Sequence, residues 1–275
     1  MLGLGLVGGS VARAAARAGW QVRAWTPSGQ GPRAAARDGI EPADMLADAV
    51  AGAELVILAA PPLACLHLID TLSAEAGPSL GADTVVTDVA STKGTIVARA
   101  RTAGLRFVGG HPLAGRETTG YAASDPDLFA DRPWVIVPPE PGDDVAEARV
   151  EALAAACRAR PVRMSAAEHD RAVAAISHLP LLLSAALTES IVDGPGWTTG
   201  RELAAGGWAS MTRLARGDAE MGAGILATNA GEVIARLEAL RAVLDRWALE
   251  LAAVDAAALR TRLERAREAL DEGAS

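Results

Sequence analysis

Apolar positions follow two different periods along the chain. In the first part, short runs of consecutive apolar residues, "WQVRAW", "AELVILAAPP", "DTVVTDVAS", "RFVGGHP" and "RPWVIVPP", are separated by stretches of helical character. Of these, "SVARAAARAG" is a strong helix former that stops at Gly19, and "LACLHLIDTLSAEA" and "KGTIVARARTAG" fill later gaps. A last helix over 144–158 and a strand "PVRMS" close this half. Strands that are apolar throughout, alternating with helices, predict a parallel sheet covered on both faces. From residue 166 onward only helical periodicity remains, which predicts an α/β domain over 1–165 followed by an all-α domain over 166–275. In the helical half Val233, Leu237, Leu240, Leu244, Trp247 and Leu251 recur at spacings of 4 and 3. So short a seam is read as a packed core face rather than a coiled coil.

Composition narrows the function. Lys and Arg number 26 against 34 Asp and Glu, a net charge of -8, so no basic field exists to hold a nucleic acid, and a small-molecule partner is expected. Cys65 and Cys157 are isolated thiols without metal-ligand spacing, which fits reduced cysteines in the cytoplasm and no metal site. The most apolar runs, 55–69 and 176–192, are broken by Pro61 and Pro62 and by His178 and Pro180, so neither is read as a membrane span.

The opening "MLGLGLVGGS" carries Gly3, Gly5 and Gly8 in G-x-G-x-x-G spacing, with Leu6 and Val7 entering the helix behind it. A plain glycine turn would use the same residues. With β-α units following, the loop predicts a Rossmann-type doubly wound sheet that holds a dinucleotide pyrophosphate at a helix N-terminus. Only Met1 and Leu2 precede the loop, where a central strand is expected, so the natural chain is expected to start several residues upstream. No carboxylate stands about 20 residues on, as NAD-type loops usually have. Thr26 ends the second strand, and the first acidic residue is Asp38. Thr26, Ser28 and Arg33 are therefore candidates to receive a 2′-phosphate, which tilts the cofactor toward NADP while leaving NAD open.

Four further stretches carry chemistry. "DVASTKG" lies at the C-terminal edge of a strand, where Ser91 or Thr92 fits a helix cap as well as a substrate contact. In "GGHPLAGRETTGY", His111 follows a strand, with Gly109 and Gly110 beside it and Pro112 behind it, which makes it the candidate acid/base. In "EHDRAVAAISHLPLLLS", His169 and His178 are nine residues apart, on opposite faces of an unbroken helix, so at most one should face a site. Pro180 should distort that helix near His178, and a buried, backbone-bonded His178 is the competing reading. In "AAGGWASMTRLARGD", Arg213 follows the Gly206-Gly207 break, suited to a carboxylate or simply facing solvent.

In this order the motifs resemble the prephenate/arogenate dehydrogenase family of tyrosine biosynthesis. The resemblance runs through "GLGLVGGS", "DVASTKG", "GGHPLAGRETTGYAASDPDLFADRPWVIVP", "HDRAVAAISHLP" and "GGWASMTRLA" to Asn229. It implies NAD(P)-linked oxidative decarboxylation of prephenate, or of arogenate, by a cytoplasmic homodimer joined through its helical domains. It also implies that His111 is the catalytic histidine, Ser91 a substrate-contacting serine in the catalytic pair, and His178 a site histidine. Arg213 would bind a substrate carboxylate, with Gly206 in the same motif lining the substrate site. Departures stand at Leu181, where the family often has a second histidine, at Ala209 in place of a charged residue, and at Gly222 in place of a tryptophan. The regulatory domain appended in some relatives is not expected, because the sequence ends after the helical part. Two rivals remain. A hydroxy-acid dehydrogenase of similar plan would use a lysine in the helical part, whereas the chain's single lysine is Lys93. A dinucleotide-binding scaffold would have no need of His111.

Overall fold

The computed structural model describes residues 1–74, 79–115 and 118–273. Residues 75–76 of the helix predicted after "AELVILAAPP" and residues 116–117 of the histidine-loop motif lie outside the described residues. Contacts divide the chain into two compact units, Met1–Ala230 and Gly231–Ser275.

In the first unit, α1 (Leu6–Arg17) leads from the glycine loop to β1 (Val22–Ala24). Next come α2 (Gln30–Ala35), β2 (Ile40–Pro42) and α3 (Leu46–Val50). β2 pairs with β1 in parallel and was not predicted, because three residues are too few to show an apolar period. Then follow β3 (Leu55–Leu58), α4 (Pro62–Ala74), β4 (Val85–Asp88), α5 (Gly94–Thr102) and β5 (Phe107–Pro112). The sheet half ends with β6 (Pro133–Val137), α6 (Asp144–Ala156) and β7 (Arg160–Arg163). Strands β3 to β7 form one sheet in sequence order. Leu2 bridges to both Trp25 and Leu58 in parallel, so Met1 and Leu2 occupy the place between β1 and β3. Leu2 donates to Ile57 O at 2.8 Å and accepts from Ala59 N at 2.7 Å, while Gly3 donates to Trp25 O at 3.0 Å.

The sheet is not wholly parallel, as the pattern predicted. β6 runs antiparallel to β5, and β7 is parallel to β6. A parallel return needs a crossover, usually a helix. Among the described residues, the segment between β5 and β6 holds only a 3-10 turn, Tyr121–Ala123, so the chain doubles back. Both faces are covered, as expected. Ile57 and Val85 pack with Val11, Ala15, Val150 and Leu153 of α1 and α6, and the alternate residues Val56, Leu58 and Val86 pack with Ile69, Leu72, Ile96 and Ala100 of α4 and α5. Cys65 and Cys157 are free and buried, and burial pushes both thiols up to about 12.

A capping box opens the helical segment: Ser165 Oγ accepts from Glu168 N at 3.2 Å, and the Glu168 carboxylate accepts from Ser165 N at 2.9 Å. α7 (Ala166–Val173) leads through a π turn, Ala174–His178, into α8 (Leu179–Val192), then α9 (Trp197–Leu203), α10 (Gly206–Thr212) and α11 (Ala219–Thr228). By contacts these helices belong to the same unit as the sheet. The run Ala166–Val192 has mean hydropathy 1.5 over its most apolar window and is long enough, by length and composition, to cross a bilayer. It nevertheless buries His169, Asp170 and His178.

The second unit comprises α12 (Ala230–Ala252), apart from its first residue, and α13 (Ala256–Gly273). Here the expected core face is corrected. Val233 is buried, but Leu244 is 53% and Leu251 59% exposed. A hairpin of two helices has too little apolar surface facing the seam to cover it.

Candidate active site

The glycine loop has the shape that a dinucleotide requires. Gly3 has φ +104, and a Cβ there would lie 2.2 Å from Ala59 O; a Cβ on Gly8 would lie 2.6 Å from Gly3 O. A Cβ on Gly5 would meet nothing within 4 Å, so this backbone faces open space. Turn, open approach and close packing thus fall on the first, second and third glycines in the pattern that pyrophosphate binding uses. Leu6 and Val7 form the first turn of α1, which has no side-chain cap and no acidic residue, leaving its amides for an anion. Thr26 Oγ1 is buried without a partner just past β1, a hydroxyl suited to a ribose. Asp38 is occupied: its carboxylate accepts from Tyr121 OH at 2.6 Å and from Arg13 at 2.9 Å. Ser28 Oγ accepts from Gln30 N at 3.4 Å, and Arg33 is exposed, 3.9 Å from Asp44.

At the C-terminal ends of β4 and β5, on the same edge of the sheet, lies a buried cluster of ionisable groups. Asp88 ends β4. Its Oδ1 accepts from Gly110 N at 3.0 Å, its Oδ2 accepts from Ala90 N at 3.0 Å, and it pairs with the fully buried Lys93 ammonium. A Cβ on Gly110 would lie 2.5 Å from Asp88 O, so a glycine is required beside the histidine. His111 is not on a loop after the strand, as predicted. It belongs to β5 and pairs with Val135, because the antiparallel β6 extends the strand through Pro112. Its Nδ1 lies 2.8 Å from His169 Nε2, and His169 Nδ1 lies 2.8 Å from Asp170 Oδ1.

Asp170 also corrects the reading of "DVASTKG". α5 has no side-chain cap of its own. Instead Asp170 accepts from Lys93 N at 2.8 Å and Gly94 N at 2.7 Å, reaching from α7 to satisfy the helix start. Thr92 bonds Thr228 Oγ1 at 2.8 Å rather than capping, and Ser91 stays half-buried in the bend after β4.

The expectation that His169 and His178 face opposite ways is overturned. Both are buried, and Asn229 Nδ2 joins their surroundings, lying 2.8 Å from Asp170 O and 3.1 Å from His178 Nδ1. The π turn is the cause. Leu179 N bonds back to Ala174 O, which takes up one extra residue just before Pro180 and leaves the two histidines about 80° apart instead of about 180°. His178 Nε2 is buried without a partner. Burial pushes His178 down to about 4 against the pull of Asp170. Burial first, then the neighbouring His169, Lys93 and His178, hold His111 well below the ordinary histidine range. Burial opposes ionisation of Asp170, but the bonds from His169, Gly94 and Lys93 outweigh it and hold the carboxyl low.

Arg213 and Gly206 lie farther along the helical segment. Gly206 begins α10, and Arg213 is exposed on the 3-10 turn that follows it. Ala215 N donates to Ser184 Oγ at 2.9 Å, fastening this turn to α8, the helix that follows His178. Among the described residues no three His, Cys, Asp or Glu side chains are arranged so that they could hold a metal ion. Sequence reasoning missed Asp170, Asp88 and Thr228. The S-x-x-E box at Ser165, which fixes where α7 starts, and the polar pair His169-Asp170 on its inner face were the available signals.

Known proteins of similar sequence and structure give the family. The family model described as prephenate dehydrogenase, nucleotide-binding domain, matches residues 12–163, and the prephenate dehydrogenase dimerization domain matches 165–265. A prephenate dehydrogenase of Bacillus subtilis is 30% identical over 259 residues, 91% of this chain and 67% of that protein's length. The structure of an arogenate dehydrogenase from Synechocystis aligns with a TM-score of 0.82 at 28% identity, over 98% of each chain. That of a prephenate dehydrogenase from A. aeolicus, in complex with hydroxyphenyl propionate and NAD+, aligns at 0.89 and 25% identity, over 98% of this chain and 96% of that one. With its nucleotide-binding sheet, its helical segment and both family domains matched in order, the chain belongs to the prephenate dehydrogenase family of NAD(P)-linked oxidoreductases.

Proposed function

We propose that this chain catalyses the oxidative decarboxylation of prephenate to 4-hydroxyphenylpyruvate in tyrosine biosynthesis. The observation that carries the reading is His111, kept neutral by burial, on the same sheet edge as the glycine loop. Gly5 and the first turn of α1 would hold the dinucleotide pyrophosphate, with Thr26 at a ribose. The bound nicotinamide supplies the hydride acceptor.

Prephenate carries a hydroxyl and a hydrogen on one ring carbon and a carboxylate on the carbon across the ring. His111 accepts the hydroxyl proton while that hydrogen leaves with its electron pair, and a carbonyl forms. The bond to the opposite carboxylate then breaks, carbon dioxide departs, and its electrons aromatise the ring. His111 returns the proton to the ring oxygen, so none is gained or lost overall. Ser91, in the bend after β4, would orient the hydroxyl, and His178 offers a buried ring Nε2 beside the Ser91 backbone. Arg213, with Gly206 at the start of its helix, would hold a substrate carboxylate and fix the ring.

Residues 166–275 are read as the helical substrate and dimerisation domain. A homodimer is supported by the exposed seam at Leu244 and Leu251 and by the match to a dimerization domain. Two buried free thiols favour the cytoplasm. Arogenate is the alternative substrate, since it differs only by an amino group in place of the keto group. Steady-state assays with each substrate and each of NAD+ and NADP+ test the proposal; no turnover in any of the four combinations rejects it.

A further inference from the structure

The ring of His169 stands edge-on to that of His111, with centroids 5.1 Å apart and planes at 77°. Its far nitrogen is held by a carboxylate whose other contacts leave it one role. Asp170 accepts two backbone amides, at 2.8 and 2.7 Å. These bonds, with that from His169, hold the Asp170 carboxyl low and ionised, so it accepts a third donor from His169 Nδ1 at 2.8 Å. A neutral His169 with its proton on Nδ1 has a bare Nε2. That atom faces His111 Nδ1 at 2.8 Å. Where that Nε2 carries no proton, two lone pairs cannot meet at this distance, so His111 Nδ1 carries the proton.

We propose that His169, anchored by Asp170, is a positioning residue that locks His111 in its Nδ1-protonated tautomer, leaving Nε2 as the lone pair presented to the substrate hydroxyl. This rests on the reading of His111 as the base. A free histidine side chain favours the opposite tautomer, with the proton on Nε2, in which His111 would meet the hydroxyl as a donor and could not accept its proton. The lock also serves the later step. Once protonated, His111 keeps its Nδ1 bond to an acceptor polarised by an ionised carboxylate, which steadies the cation without moving either ring. The anchoring is economical in structure, because the same carboxylate fastens the start of α5 beneath the cluster.

The chain has only 4 histidines, His67, His111, His169 and His178, so nitrogen-15 NMR of histidine-labelled protein can be assigned by substitution. In the parent, His111 should show a protonated Nδ1 and a bare Nε2. His169→Phe removes the acceptor and should shift His111 to the Nε2-protonated form, with kcat falling about 10²-fold and KM changing little. His169→Gln, whose amide oxygen can accept the Nδ1 proton, should restore the parent tautomer and much of the lost kcat, which a merely structural loss would not allow. A parent His111 protonated on Nε2, or a tautomer unchanged in His169→Phe, overturns the inference. The NMR result stands whether or not the enzyme turns over prephenate, so failure of the functional reading and failure of the lock are separately visible.

Discussion

The glycine loop and the histidine cluster share one sheet edge but are built by opposite means. Around Gly3, Gly5 and Gly8 the exposed groups are backbone, with side chains excluded at Gly3 and Gly8 by contacts as close as 2.2 Å and open space at Gly5. Around His111 the groups are buried titratable side chains that hold one another, His111 with His169 from 58 positions away, and His169 with Asp170 and Lys93 with Asp88 close by in the chain. Errors in the loop should therefore act on folding and affinity, and errors in the cluster on chemistry and pH response.

The largest expected effect lies in the cluster. His111→Gln keeps a polar side chain but loses the base, and kcat should fall by about 10²- to 10³-fold while dinucleotide affinity stays near the parent value. Stopped-flow turnover together with fluorescence titration of the dinucleotide separates the two. If turnover is unchanged, His111 is not the base and the contrast between the regions collapses.

Within the loop the contrast can be sharpened by one methyl group. Gly3→Ala forces a Cβ into Ala59 O at a positive φ and should cost about 3 kcal/mol of stability, visible as a lowered Tm. Gly5→Ala places its methyl in open space, so Tm should hold while dinucleotide Kd rises about tenfold. Equal Tm losses at both positions would show that the loop is packed as a structural turn rather than opened for a ligand.

Acid should reach the cluster before it reaches the loop. Burial pushes His178 down to about 4 in the folded chain, from the 6.5 of an ordinary histidine. Between those values the unfolded chain binds a proton that the native state refuses, so stability falls as pH drops from about 6.5 to about 4 and is recovered above that window. After allowance for solvent at the cluster's edge, His178 accounts for about 2 kcal/mol of this. Denaturant midpoints across the window, compared with His178→Gln, should show a shallower slope in the variant. An identical slope would mean that His178 is not held neutral by burial.

The two regions were also unequally legible. The glycine loop could be read because its signature, a turn, an approach and a packing contact, falls on three residues of one short stretch, even though Ala59 supplies the contact at Gly3. The sheet was legible for a related reason, since each strand's apolar run is self-contained, although β2 was too short to register and β6 turned antiparallel through a connection whose geometry no period reveals. The cluster depends on pairings that sequence order hides. His111 and His169 meet across 58 positions, and Lys93 and Asp170 across 77. Helical arithmetic placed His169 and His178 on opposite faces, and a single π turn reversed the answer. Pro180 marked where the helix would be irregular without telling which irregularity would follow. The seam on α12 failed as a core because periodicity records which face is apolar, and not what covers it.

The smallest expected effect concerns which dinucleotide the loop accepts, and it turns on one hydroxyl. Thr26 stands just past β1, where a carboxylate would hold a ribose and repel a 2′-phosphate, and its Oγ1 is buried without a partner. The first acidic residue in the chain, Asp38, cannot substitute, because Arg13 and Tyr121 occupy its carboxylate. Arg33 is 70% exposed and only 3.9 Å from Asp44, a loose pairing that leaves its charge free to meet a phosphate. NADP+ should therefore be accepted by the parent. Thr26→Asp should move the ratio of kcat/KM for NAD+ over NADP+ upward by about tenfold, roughly 1.4 kcal/mol, through repulsion of the 2′-phosphate more than through any gain toward NAD+. The decisive reading is which term of the ratio moves. A loss confined to NADP+ supports a tolerant hydroxyl, whereas a parent that rejects NADP+ outright would mean that Thr26, Ser28 and Arg33 do not form the phosphate-accepting edge of the loop.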